Sequence, residues 1–133
     1  MAGLDTNILV RWLVDDDAGQ SPRIDALFKS TTRRGQSLFI PLTVMLELEW
    51  VLRSRYEFGR SEILLAMNAL LETRELEFQS ENTVERALHA YRQGTADFAD
   101  CLHAGCCWSE GKAPMLTLDA KAARLTDAEL LAA

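Results

Sequence analysis

The chain has 133 residues, 48% hydrophobic and 26% charged, with a formal net charge of −6. That length suits one domain, residues 1–133, with a substantial core, and the composition is that of an ordinary soluble globular protein. The acidic balance works against a simple nucleic-acid-binding module without deciding the matter, because local basic groups such as Arg33, Arg34, Arg53 and Arg55 remain, and no apolar run approaches the roughly eighteen residues that span a membrane.

The first element is a short strand over residues 2–5, followed by a helix over 7–14 and a polar loop, Asp15-Asp16-Asp17-Ala18-Gly19. Ser21-Pro22 supplies an N-cap and a Pro at the first helical position, so a second helix starts there and fades by Arg34-Gly35. Ser37-Leu38-Phe39-Ile40-Pro41 reads as the second strand. Thr43 caps the next helix, which runs through Val44, Leu48, Val51 and Leu52 to about Tyr56. Ser61 opens a further helix with an apolar stripe from Ile63 to Leu71. Leu76-Glu77-Phe78 is a third strand. Asn82 or Thr83 caps a helix stopped by Gly94, and another covers residues 96–110. Pro114-Met115-Leu116-Thr117-Leu118 is the fourth strand, with a short helix over 120–125. The tail, residues 127–133, fits a helical turn or an edge strand equally well. Short β-like runs alternating with helical patterns predict an α/β fold with a mostly parallel sheet.

Four acids stand where strands give way to helices or near helix starts: Asp5, Glu47, Asp100 and Asp119. Each has a plain structural explanation. Asp5 and Asp119 both precede helices and suit N-caps. Asp97 and Asp100 lie three apart, on one helical face, where acids complement the helix dipole. Glu47 and Glu49 point nearly opposite ways on their helix, so at most one faces a shared site, and both have apolar neighbours three and four residues away. An acid buried there unpaired is costly, so one of them meets a metal, an Arg or water. Ligands in open α/β sheets bind outside the carboxyl ends of strands, which makes such acids converge. Converging carboxylates repel one another unless a cation sits among them, and hard divalent cations prefer oxygen.

Other groups have weaker functional readings. His103, Cys106 and Cys107 share a helical face, but the spacing matches no common zinc pattern, and buried Cys packs as a small hydrophobe. His89 is isolated and suits a surface or capping role. Trp12, Trp50 and Trp108 lie in helical apolar patterns and read as core or interface anchors, with RNA stacking open to an exposed one. Three cysteines without a secretion signal point to reduced thiols in the cytoplasm.

Leu4-Asp5-Thr6-Asn7 with Arg11 nearby, Leu46-Glu47-Leu48-Glu49-Trp50-Val51-Leu52, Asp97-Phe98-Ala99-Asp100-Cys101-Leu102 and Thr117-Leu118-Asp119 resemble, in order and spacing, the successive motifs of the PIN domain. More narrowly they resemble the VapC-type toxins of bacterial toxin–antitoxin pairs. The resemblance covers essentially the whole chain and implies a three-layer α/β/α domain around a central, mostly parallel sheet of four to five strands. It implies a Mg²⁺-dependent endoribonuclease, with Mn²⁺ as the other fitting ion. Asp5, Glu47, Asp100 and Asp119 would be its catalytic and metal-binding acids, and Asp97 an auxiliary ligand. It selects Glu47, the acid three before Trp50, over Glu49. Asn7 and Thr117 would orient a carboxylate or a water; Arg11, Lys121 and Arg124 would contact RNA phosphates. Relatives of this kind leave a 5′-phosphate and a 3′-hydroxyl. The implied partners are RNA, a cognate antitoxin that inserts a segment into the acidic pocket, and a second copy of the chain.

Three rival classes fit less well. An aspartyl phosphatase wants a second Asp two positions after the first, where this chain has Asn7. A phospho-acceptor receiver module wants paired acids after the first strand and a Lys after the last. A catalytically inactive PIN-like interaction domain has no need of a complete acid set.

Overall fold

A computed structural model describes residues 2–14 and 21–132. The acidic loop expected at Asp15–Gly19 lies outside the described residues. The chain divides into two compact units, residues 1–79 and residues 80–133.

In the first unit, β1 (Ala2–Gly3), β2 (Leu38–Ile40) and β3 (Leu76–Phe78) form a parallel sheet in the order β1-β2-β3. Ala2 pairs with Leu38, and Leu38 with Leu76. The ladder runs one residue beyond β1, because the Leu4 N–H donates to the Phe39 carbonyl at 2.8 Å. Parallel neighbours need crossovers, and helices supply them. α1 (Thr6–Val14) and α2 (Ser21–Arg33) join β1 to β2; α3 (Leu42–Arg55) and α4 (Arg60–Leu71) join β2 to β3. Leu9, Ile40, Met45, Leu48, Leu52, Ile63, Met67 and Leu70 are fully buried. On the helices these residues recur three or four apart, as a core-facing stripe requires.

Three capping expectations shift by a residue or more. Pro41, not Thr43, occupies the N-cap of α3, and the Leu42 N–H donates to Gln79 Oε1 at 3.0 Å. Gly59 precedes α4, and its N–H is taken by Glu62 Oε1 at 3.0 Å. In the second unit Ser80 is the N-cap of α5 (Glu81–Gln93), while Asn82 Oδ1 accepts the Ser80 hydroxyl and the Thr83 N–H.

The second unit pairs α5 with α6 (Phe98–Ser109). Gly105 lets them approach, since a Cβ there would stand 3.3 Å from the Thr83 carbonyl oxygen. Tyr91 meets Phe98 edge to face at 5.6 Å. Gly111, at φ +72°, turns the chain out of α6 toward β4 (Met115–Thr117). A single 3₁₀ turn, Ala122–Arg124, replaces the short helix expected there. The tail resolves as a strand, β5 (Ala128–Leu130), parallel to β4.

The α/β class expected from the pattern is thus observed, with parallel pairing throughout. The single central sheet of four to five strands is not: the five described strands divide into a sheet of three and a sheet of two. Each strand is only two or three residues long, and each ladder is completed inside its own unit. No described helix is long and apolar enough to cross a membrane.

Candidate functional site

Asp5 follows the Leu4 ladder bond and immediately precedes α1. Its Oδ1 accepts the Thr6 N–H at 2.7 Å, so the capping role and an exposed carboxylate coexist in one residue. Thr6 is buried, and its hydroxyl donates to Glu47 Oε1 on α3. Thr6 therefore touches both acids, through its backbone and through its side chain. Asp5, Thr6, Asn7, Val10, Arg11, Glu47, Trp50, Val51, Arg55 and Tyr56 line one pocket of about 260 Å³. Asn7 is exposed there and makes no bond to either carboxylate. Arg11 donates to the Tyr56 hydroxyl at 3.2 Å, which ties α1 to the end of α3.

The two glutamates part company on their helix. Glu49 is 4% exposed and pairs with Arg53, Nε to Oε2 at 2.8 Å. Glu47 is exposed and opens on the Asp5 pocket. The pair with Arg53 gives the buried acid the partner that burial demands.

The second unit holds the remaining acids. Asp97 is the N-cap of α6 but makes no side-chain cap bond. Asp100 lies in the first turn, half-buried. Asp119 is exposed beyond β4, and its Oδ1 accepts the Lys121 N–H at 2.9 Å, a local turn that starts the 3₁₀ segment. The Lys121 ammonium lies 3.5 Å from Asp97 Oδ1. Both side chains are at least half exposed, so this pair is solvent-screened and contributes little. Thr117 receives the Asp119 N–H on its hydroxyl at 3.1 Å, fixing the backbone at Asp119 rather than a carboxylate. Arg124 sits apart from these groups, on a cleft with Arg86, His89 and Asp127.

Neither unit by itself, among the described residues, gathers three acidic, His or Cys side chains in a metal-binding group. The acids singled out in each unit offer carboxylate oxygens, which suit a hard divalent cation. Among the described residues His103 and the cysteines form no metal group either; none of the three cysteines is in a disulfide, and Cys101 is buried. Burial pushes the Cys106 thiol pKa up, and Cys107 and Glu110 add to the rise.

Thr6 is the residue that sequence reasoning missed. Its signal was available: a hydroxyl directly after a strand-end acid, at the first position of a helix. None of the three tryptophans is a buried core residue, one of the two anchor roles expected of them. Trp12 stacks on Phe28 at 5.2 Å, Trp108 lies under the Arg86 guanidinium at 4.0 Å, and Trp50 is 51% exposed.

Strand-end acids on an α/β frame of this kind belong to a known class. The PIN domain family model matches residues 3–128, running through both units and all five acids, and the chain belongs to the PIN domain family. Within it, the chain is similar to a VapC ribonuclease of Aquifex aeolicus (strain VF5), with 25% identity over 99 residues, 74% of this chain and 73% of that protein.

Proposed function

We propose that this chain is a Mg²⁺-dependent endoribonuclease, with Mn²⁺ able to substitute, and the toxin of a toxin–antitoxin pair. One observation carries the reading. Asp5 and Glu47 share a pocket, bridged by Thr6, in a chain that the PIN domain model covers almost throughout. Similarity to a protein named as a VapC ribonuclease supports RNA as the substrate. One family model spanning both units supports a single functional domain.

In this reading Asp5, Glu47, Asp100 and Asp119 hold the ion, with Asp97 as an auxiliary ligand. A bound divalent ion supplies charge neutralisation at the scissile phosphate and makes an attacking water more acidic. The chain's own groups do the rest. Thr6 holds the Glu47 carboxylate in place, and Glu47 or Asp119 orients the water and accepts its proton. Thr117 fixes the backbone that presents Asp119. Arg11, Lys121 and Arg124 contact RNA phosphates; the weak pair between Lys121 and Asp97 exchanges readily with solvent and with substrate. The protein acts in the cytoplasm as a homodimer, and a cognate antitoxin blocks the acidic pocket with an inserted segment and a basic residue.

The test is RNA cleavage by the purified chain with Mg²⁺, with and without EDTA, beside Asp5→Asn. Cleavage disappears with EDTA and in the variant; activity that persists in the variant overturns the assignment. Mg²⁺ also raises the melting temperature of the wild type by mass action and that of Asp5→Asn much less. Equal shifts in the two proteins argue against the site.

A further inference from the structure

We propose that Trp50, with Arg55, forms a subsite that stacks one unpaired base of a single-stranded RNA beside the Asp5–Glu47 acids. The proposal rests on the ribonuclease reading and names two residues of this chain that hold the RNA beside those acids.

Trp50 is half exposed, and it is the only tryptophan of the three without a described ring partner. It lies three residues after Glu47 on α3, which places the two side chains on one helical face about one turn apart. Both line the same pocket, whose other walls include Asp5, Arg11, Arg55 and Tyr56. Trp, Tyr and Arg are common on protein-docking faces too, but Asp and Glu are depleted there. Here Trp50 is set among two carboxylates, two guanidiniums and a phenol, with only Val10 and Val51 apolar beside it.

An aromatic platform flanked by a guanidinium is the chemistry that recognises single-stranded nucleic acid. A base offers its π-face to the ring, and the arginine takes the neighbouring phosphate. Arg55 makes no hydrogen bond or ion pair among the described residues and is exposed, so its charge is available. The net charge of −6 repels RNA at long range. Affinity must then come from short-range contacts, and stacking is such a contact, insensitive to net charge. A duplex hides its base faces in its own stack, so this subsite discriminates against paired RNA.

Binding is measured in the Asp5→Asn background, where cleavage does not consume the probe, with poly(A), poly(U) and the poly(A)·poly(U) duplex. Trp50→Ala weakens binding of the single strands by roughly tenfold to a hundredfold, and Trp50→Phe restores most of it. The duplex binds weakly and equally to all three. The tryptophan emission that Trp50→Phe removes is quenched by single strands and not by the duplex. Arg55→Ala weakens single-strand binding and reduces its salt dependence by about one phosphate contact.

Unchanged single-strand affinity in Trp50→Ala overturns the subsite, whatever happens to cleavage. A change confined to sedimentation mass also overturns it, and assigns Trp50 to a contact between copies of the chain. Loss of cleavage in Asp5→Asn together with unchanged binding in Trp50→Ala leaves the nuclease reading intact. Weakened single-strand binding in Trp50→Ala, with no RNA cleaved by the wild type under any divalent ion, keeps the subsite and removes the nuclease.

Discussion

Arg86 ties three elements of the second unit together, and a double-mutant cycle measures how strongly. From α5 its Nε and Nη2 donate to the two oxygens of Asp127, at 2.6 and 2.9 Å. Its guanidinium also lies 4.0 Å from the centre of the Trp108 ring on α6. Asp127 in turn gives its carbonyl to the Met115 N–H, so the clamp reaches β4 and the segment that ends in Asp119. The hydrogen bond to Asp127 raises the Arg86 pKa above its ordinary value, so the guanidinium stays charged at any working pH. A hydrogen bond to a charged group contributes about 1.5–3 kcal/mol, and an exposed ion pair about 0–1. The side chains here are 35% and 15% exposed, so the pair falls between those limits, at about 1–2 kcal/mol after screening. The cation–π contact adds about 0.5–1 kcal/mol. Arg86→Ala therefore costs about 1.5–3 kcal/mol, or roughly 5–12 °C in melting temperature for a chain of this size. Urea unfolding of Arg86→Ala, Asp127→Asn and the double variant should give a coupling of about 1–2 kcal/mol. Arg86→Lys should recover little, because an ammonium provides neither the bidentate fork nor the flat stack. A coupling under about 0.3 kcal/mol, or a Lys variant as stable as the parent, refutes the clamp.

Thr6→Val keeps the side-chain volume and removes the hydroxyl that holds Glu47; kcat on RNA should fall about tenfold to a hundredfold. Its melting temperature should change little, because water replaces the bond at the exposed carboxylate, and unchanged kcat would show that Thr6 does not support the site. Gly105→Ala should be near neutral, since a gain of about 1 kcal/mol in helix propensity offsets crowding against Thr83. Gly105→Val should cost about 1–3 kcal/mol by thermal melting, and a variant as stable as the parent would mean that α5 and α6 can move apart freely. Cys106 should react with iodoacetamide more slowly in the folded protein than in urea at mildly alkaline pH, because its thiol is held protonated. A folded pKa above the unfolded one stabilises the protein below the unfolded value. That contribution is lost as pH rises through the thiol range toward the folded value, and a stability that climbs there contradicts the assignment.

The order of elements was readable because each strand–helix junction carries its own punctuation. Ser21-Pro22, Gly94 and Gly111 mark ends by local backbone chemistry that packing does not override. Cap positions were less legible. Thr43 and Asn82 are good cap residues by type, but the chain enters α3 and α5 earlier, at Pro41 and Ser80, where neighbouring groups satisfy the first N–H donors. Strand pairing was not legible at all. Runs such as Leu38-Phe39-Ile40 and Met115-Leu116-Thr117 look alike, and two- or three-residue ladders carry no signal of which strand each will join.

The two glutamates of α3 show most clearly where a signal existed in the chain. Hydrophobic periodicity treats Glu47 and Glu49 alike, since each has apolar residues three and four positions away. Charge spacing does not. Glu49 has Arg53 four residues on, in the favourable order with the acid nearer the helix N-terminus, whereas Glu47 has Val51 at that position. A buried acid needs a partner and takes the nearest guanidinium, and the 2.8 Å pair at 4% exposure is that outcome. Glu47 is left with no cation of its own helix within a turn. Its carboxylate turns instead toward Thr6 and the Asp5 pocket, where its charge is uncompensated by any ion pair among the described residues. An acid that has a cation at i+4 is thereby explained by the fold; the exposed one that lacks it on the same helix, beside a second strand-end acid, is left for the ion that the proposed function assigns to it.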